Sequence, residues 1–150
     1  RRRLQMPQHG AAVFAIRKRV HFIFERATRR FKADEVMWLQ WIDYAERTAA
    51  KNKLGQIYGR ALSLLPHSTK LWVKAAAWEF EGKGNAVVAR RLLQRALRIN
   101  GKSAELWQAY FKFELLFALK VQLRKKALGI GGTEEEEGDG DGEGDGDGDG

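Results

Sequence analysis

Two rows of arginine are the residues best placed for chemistry in this chain, and the chemistry is contact with phosphate or carboxylate. Arg91, Arg95 and Arg98 fall at i, i+4 and i+7, the spacing of one helical face, and Arg26, Arg29 and Arg30 crowd another segment. A guanidinium is a rigid fork of donors that matches an anionic oxygen pair, so such rows read as contacts to RNA or to a partner. The plain alternative is a solvated polar face. The charge balance weighs against that alternative. The 150 residues include 27 Lys+Arg and 19 Asp+Glu, but ten of the acids stand in residues 134–150 beside seven glycines and no base. Residues 1–133 therefore hold 27 bases against 9 acids, a net charge of +18. Such a field attracts polyanions over a Debye length, roughly 8 Å at physiological salt.

Catalytic patterns fall short. There is no cysteine, so no disulfide, thiolate nucleophile or cysteine-ligated zinc. His9, His21 and His67 are scattered over a lead segment, a helix and a loop, and are expected at the surface rather than on a metal. Glu79 and Glu81, two apart on a helix, point in different directions and cannot act as an acid/base pair. Gly55 to Gly59 and Gly82-Lys83-Gly84 lack phosphate-loop spacing and follow helices rather than strands. No enzyme activity, cofactor, metal or small-molecule substrate is expected. The longest apolar run, Leu115 to Leu119, stops at Lys120, far short of the roughly 20 residues that span a bilayer. No signal peptide is visible, and no membrane partner is expected. A chain that begins at Arg1 reads as processed or as a piece of a longer protein, in the cytosol or nucleus.

The elements that hold the arginines are helices arranged in repeats. Trp38, Trp72 and Trp107 are 34 and 35 residues apart. Each has an aromatic six residues later (Tyr44, Trp78, Phe113) and a helix N-cap type four residues earlier (Asp34, Ser68, Ser103). A second set recurs with the same offsets: Ile23/Ile57/Leu92, Phe24/Tyr58/Leu93, Arg26/Arg60/Arg95 and Ala27/Ala61/Ala96. Arginine to the next tryptophan is always 12 residues, whereas tryptophan to the next arginine is 22 and then 23. The extra residue is expected in the loop holding Gly82 and Gly84.

Helical periodicity marks both halves of the unit. Val20, Ile23, Phe24, Ala27 and Phe31 follow i, i+3, i+4, i+7, i+11, and Leu54, Ile57, Tyr58, Ala61 and Leu65 repeat that face. Six helices are expected, at 11–31, 34–48, 51–65, 68–81, 85–99 and 103–126, with no strands. Pro66 and Gly101 share the break between helices. The fold class is an all-α solenoid of antiparallel helix pairs, because one pair cannot bury its own apolar face. The expected core is Trp38, Tyr44, Tyr58, Ala61, Trp72, Trp78, Leu93, Ala96, Trp107 and Phe113. Glu79 and Glu114 are expected to bond to a neighbouring helix, with Arg60 and Arg95 as partners. The organisation is a basic lead over 1–11, a repeat body over 12–128 with units near 34–67 and 68–102, and an acidic Gly-Asp tail over 129–150. That tail can bury no apolar surface and is expected to be disordered. With most aromatics assigned to the core, RNA contact is expected at the level of the phosphate backbone.

Helix pairs of this length first suggest tetratricopeptide repeats, but that motif places a small residue four positions after the tryptophan and Tyr seven after. Here those positions hold Ile42, Ala76 and Phe111, then Ala45, Glu79 and Glu114. An aromatic at +6 and Glu at +7, with Arg60-Ala61-Leu62 and Arg95-Ala96-Leu97 in the second helix, resembles the half-a-tetratricopeptide (HAT) repeat. Ala45 and Thr28 depart from the pattern. The resemblance covers about 12–128, most tellingly VHFIFERATRRFK (20–32) and LWVKAAAWEFE (71–81), and its FKFELLF…LRKKALG ending differs from an ordinary repeat. HAT repeats occur in RNA-processing proteins, and the ribosome-assembly branch is the nearest. The resemblance implies a non-catalytic scaffold of the small-subunit processome in the nucleus and nucleolus, acting in 18S ribosomal RNA maturation. Its implied partners are other processome subunits of propeller type and the U3 small nucleolar RNA and pre-ribosomal RNA particle. Two alternatives stay open: a scaffold in splicing or 3′-end cleavage, and a direct RNA-binding module using the arginine rows. The clusters Arg1-Arg2-Arg3, Arg17-Lys18-Arg19 and Arg124-Lys125-Lys126 also allow nuclear targeting.

Overall fold

The computed structural model describes residues 9–130, so the acidic residues 134–150 and the basic Arg1–Arg3 lie outside the described part. The described residues form six helices and no strand: α1 (His9–Arg30), α2 (Glu35–Arg47), α3 (Lys51–Leu64), α4 (Thr69–Ala77), α5 (Ala86–Ile99) and α6 (Ala104–Ala127). Helix α4 runs on into a π-turn, Trp78–Gly82. Helix α1 starts at His9, so this residue is helical and not part of an unstructured lead. The chain divides into two compact units, the first ending at Phe113 and the second starting at Glu114.

In the first unit, α2 with α3 and α4 with α5 are the complete pairs. Three features fix where each pair's first helix begins. Asp34 Oδ1, Ser68 Oγ and Ser103 Oγ accept the backbone N–H three residues on, at 3.2, 3.3 and 3.3 Å. These caps satisfy one of the orphan donors that every helix start exposes. The preceding helices end alike, with Phe31, Leu65 and Asn100 donating their N–H to Ala27, Ala61 and Ala96 at 2.8 Å each.

The C-terminal ends of α2 and α4 show where the additional residue goes. Ala50 N–H donates to the Ala45 carbonyl, and the matching Asn85 N–H reaches back one residue further, to Glu79. Ala49 (φ +53°) and Gly84 (φ +68°) occupy the same left-handed slot. The insertion therefore lies within the π-turn Trp78–Gly82, and not in the loop after it. A π-turn absorbs one residue while keeping the backbone hydrogen-bonded.

The core of the first pair is Trp38, Trp41, Ile42, Ala45, Leu54, Ile57, Tyr58 and Ala61, with Leu71 and Ala75 from α4. Trp72, Ala96 and Leu106 form the next cluster. Ala61 and Ala96 are fully buried, where any larger side chain would force the helices apart. The predicted face of α1 departs from this pattern. Ile23 and Phe31 are more than half exposed, whereas their repeat equivalents Ile57 and Leu65 are buried and half-buried, because the described residues supply no first helix of that unit to cover them. The second unit begins with the rest of α6, where Leu115, Leu119 and Leu123 are exposed. That helix stops at Gly129 (φ +69°), whose N–H, with that of Ile130, closes onto Lys126 and Lys125.

Candidate functional site

The repeated tryptophans are loop clamps. Trp38, Trp72 and Trp107 each donate the indole N–H to a backbone carbonyl six residues upstream, at Lys32 (3.0 Å), Pro66 (2.8 Å) and Gly101 (2.9 Å). A buried indole needs an acceptor, and the interhelix turn supplies one in every copy. Trp38 and Trp72 are buried as expected of core residues, but Trp107 is 54% exposed. Among the described residues, no helix follows α6 to cover it.

Neighbouring turns are tied together. Ser68 donates to Glu35 (2.9 Å), Asn100 Nδ2 donates to the Pro66 carbonyl (3.0 Å), and Thr69 donates to Glu105 (2.6 Å). His67 Nδ1 sits 3.2 Å from Asn100 Oδ1. The turns stack at one end of the helix pairs, which fixes the rotation from each pair to the next.

The repeated arginines have a structural duty that the sequence reading assigned elsewhere. Arg60 lies 5.8 Å over the Trp38 ring and Arg95 lies 6.0 Å over the Trp72 ring. Each shields the tryptophan of its own pair through a cation–π contact. Glu79 is not bonded to either; its carboxylate takes Lys83 at 3.2 Å, and Lys83 also stands 4.0 Å over Trp78. Glu114 is half-buried and falls in the second unit. Tyr44 and Trp78 are half-buried, Tyr58 and Leu93 are buried, and Phe113 packs edge-on against Phe80 at 5.0 Å.

His21 corrects the expectation of a surface histidine. It is 8% exposed, and its Nδ1 accepts the Trp41 indole N–H at 3.0 Å. Burial, reinforced by Lys53, lowers its pKa from the usual 6.5, which keeps the ring neutral and able to accept. The signal was present in the sequence, since His21, Phe24 and Thr28 fall at i, i+3 and i+7 on one face.

A polar bridge between the two pairs went unpredicted. Lys74 reaches Asp43 at 2.9 Å and Glu46 at 3.6 Å, and Tyr58 donates to Glu46 at 3.0 Å. Burial alone would lower the Lys74 pKa, but the hydrogen bond to Asp43 and the charge of Glu46 outweigh it and raise it. Burial, with Glu46 close by, pushes the Tyr58 hydroxyl up, so it stays a donor. Beside this bridge an open groove of ≈ 460 Å³ runs between the end of α2, the start of α3 and α4, lined by Ala45, Ala49, Leu54, Ala77 and Trp78.

Arg26, Arg29, Arg30, Arg91, Arg95 and Arg98 are all exposed, on α1 and α5. Some aromatics are exposed as well: Phe14, Phe22, Phe31, Trp107 and Phe111 are each more than half exposed, so not every ring is taken up by the core. Among the described residues, no group of three or more His, Asp or Glu side chains could hold a metal ion. Nor is any described helix long and apolar enough to cross a membrane.

Stacked pairs, clamped turns and exposed cationic helices define a helical-repeat protein. Its family follows from comparison: the PRP39 N-terminal HAT repeat model matches residues 16–126, and the chain belongs to the HAT repeat family. It is 40% identical over 111 residues to U3 small nucleolar RNA-associated protein 6 of Schizosaccharomyces pombe, covering 74% of this chain and 23% of that protein. The Homo sapiens homolog of that protein is 32% identical over 108 residues, 72% of this chain and 18% of the relative. Pre-mRNA-processing factor 39 of S. pombe is 29% identical over 80 residues, 51% of this chain and 13% of that protein. The chain thus spans about a fifth of the length of the U3-associated relatives.

Proposed function

We propose that this chain is a scaffold segment of the U3 small nucleolar ribonucleoprotein and its small-subunit processome. In this reading it acts without catalysis in nucleolar maturation of 18S ribosomal RNA. The observation that carries the reading is the likeness to U3-associated relatives, at 32–40% identity over about three quarters of the chain. The likeness to the pre-mRNA-processing factor is weaker in both identity and coverage, so splicing is the second reading. Clamped turns and buried alanines support a rigid stack that presents surfaces and does not change shape. Propeller-type subunits of the same particle are the partners, and the groove beside the Lys74 bridge is where a partner segment would dock. Capture of the tagged chain from nuclear extract, followed by sequencing of the bound RNA, tests the assignment. Enrichment of U3 RNA and processome subunits is the expected result; spliceosomal RNAs or 3′-end cleavage factors in their place would sink it.

A further inference from the structure

Charge is sorted by helix in the first unit. The alternate helices α1, α3 and α5 carry 13 Lys+Arg and one acid, a net charge of +12. Helices α2 and α4 with its π-turn carry three bases and five acids, a net of −2. The single acid, Glu25, does not dilute the row. It is shared by Arg29 (2.9 Å), Arg60 (3.7 Å) and Lys53 (3.9 Å), which joins α1 to α3. Ten of the 13 cations are arginine, the side chain whose fork fits phosphate. Amid them Phe22 is 57% exposed, with the Arg26 guanidinium 5.7 Å over its ring.

We infer that the row of α1, α3 and α5 is a track for single-stranded RNA, with Arg26, Arg30, Arg91 and Arg98 neutralising phosphates and Phe22 stacking on an unpaired base. Choosing RNA among polyanions rests on the particle assignment above, and Phe22 adds an independent reason. A ring this exposed beside a guanidinium offers a base both a stacking surface and a cation, whereas carboxylates alone would engage only the cation. A duplex hides its base faces, so the strand is single. Arg60 and Arg95 also serve the core through Trp38 and Trp72, so the exposed arginines carry the test.

The experiment uses the full chain and a fluorescent 20-mer of uridine at 50 and 200 mM salt. Arg91→Glu/Arg98→Glu weakens binding tenfold or more and flattens the logarithmic salt dependence by about 1.4, from two lost contacts at ~0.7 each on a single strand. Lys70→Glu/Lys112→Glu makes the same change in net charge on exposed lysines of α4 and α6, and shifts affinity less than threefold. Phe22→Ala costs at least fivefold for the uridine 20-mer and nothing for polyphosphate, consistent with about 1 kcal/mol or more per stacked base. Thermal melts confirm folding of each variant, and Arg91→Gln/Arg98→Gln, with an expected threefold loss, replaces a reversal that fails to fold. Equal weakening by the two double reversals would reduce the track to diffuse charge and overturn it. So would a 20-residue polyglutamate that binds as tightly as the RNA, which would make an acidic protein the partner. Loss of U3 capture with uridine binding intact would sink only the particle assignment.

Discussion

Trp72 and Trp107 are the same residue in the same turn, and they live in different worlds. Both donate to the carbonyl six residues back, at 2.8 and 2.9 Å, and both follow a serine cap by four residues. Yet Trp72 is 2% exposed and Trp107 54%; one turn further on, Ala76 is 4% exposed and Phe111 67%. Local sequence sets the clamp, because cap, turn and indole lie within seven residues. Burial is set by whether a following helix covers the face, and among the described residues none follows α6. The local motif is therefore complete even where the stack is open.

Mutations can break that comparison, beginning with the largest effect. Trp72→Ala removes a buried ring and a clamp together and should cost about 4 kcal/mol, read as a fall in Tm. A melt unchanged by Trp72→Ala would contradict the buried assignment. Ala61→Arg, at a fully buried contact between helices, should cost about 3 kcal/mol by overpacking and by burying a charge. Trp107→Ala loses the same hydrogen bond with little packing, so about 1 kcal/mol is expected. Equal losses at Trp72 and Trp107 would mean that the clamp, not the burial, carries the energy.

Two smaller tests sharpen the contrast at the α1–α2 end. His21 has its pKa lowered by burial, so as pH falls below about 6.5 the unfolded chain takes up a proton that the folded chain refuses. Stability is thus whole above that pH and declines below it, by at most about 1.4 kcal/mol per pH unit for one proton. His21→Asn, which keeps an acceptor for Trp41 but cannot titrate, should flatten the pH dependence of chemical denaturation between 6.5 and 5. Ala49 holds a left-handed φ that Gly84 holds without a Cβ. Ala49→Gly should therefore stabilise the fold, by about 0.5–1 kcal/mol, read as a rise in denaturation midpoint.

Most of the fold was legible because the period of 34 and 35 residues is written in large side chains. Helix starts expected from the caps lie within two residues of those observed, since Asp34, Ser68 and Ser103 cap locally, and so do the ends once the π-turn is counted with α4. The additional residue could be counted but not located, because a π-turn and a longer loop give the same spacing between Trp72 and Arg95. Apolar periodicity named the faces of α1 and α6 but could not say that Ile23, Phe31 and Trp107 lack a cover; coverage is a property of the next element. His21 was missed because its partner, Trp41, is 20 residues away. Arg60 and Arg95 recur in step with the tryptophans they cover, yet spacing alone pairs them equally well with the glutamates.

The clamped indoles also make the stack observable from within. Each turn holds one indole proton in a hydrogen bond to its own backbone, and Trp107 differs from the other two in burial. Proton exchange at each indole, followed by magnetic resonance, would therefore time the opening of one turn at a time. The Trp107 proton should exchange first and those of Trp38 and Trp72 later, so the order of release would trace how the solenoid frays.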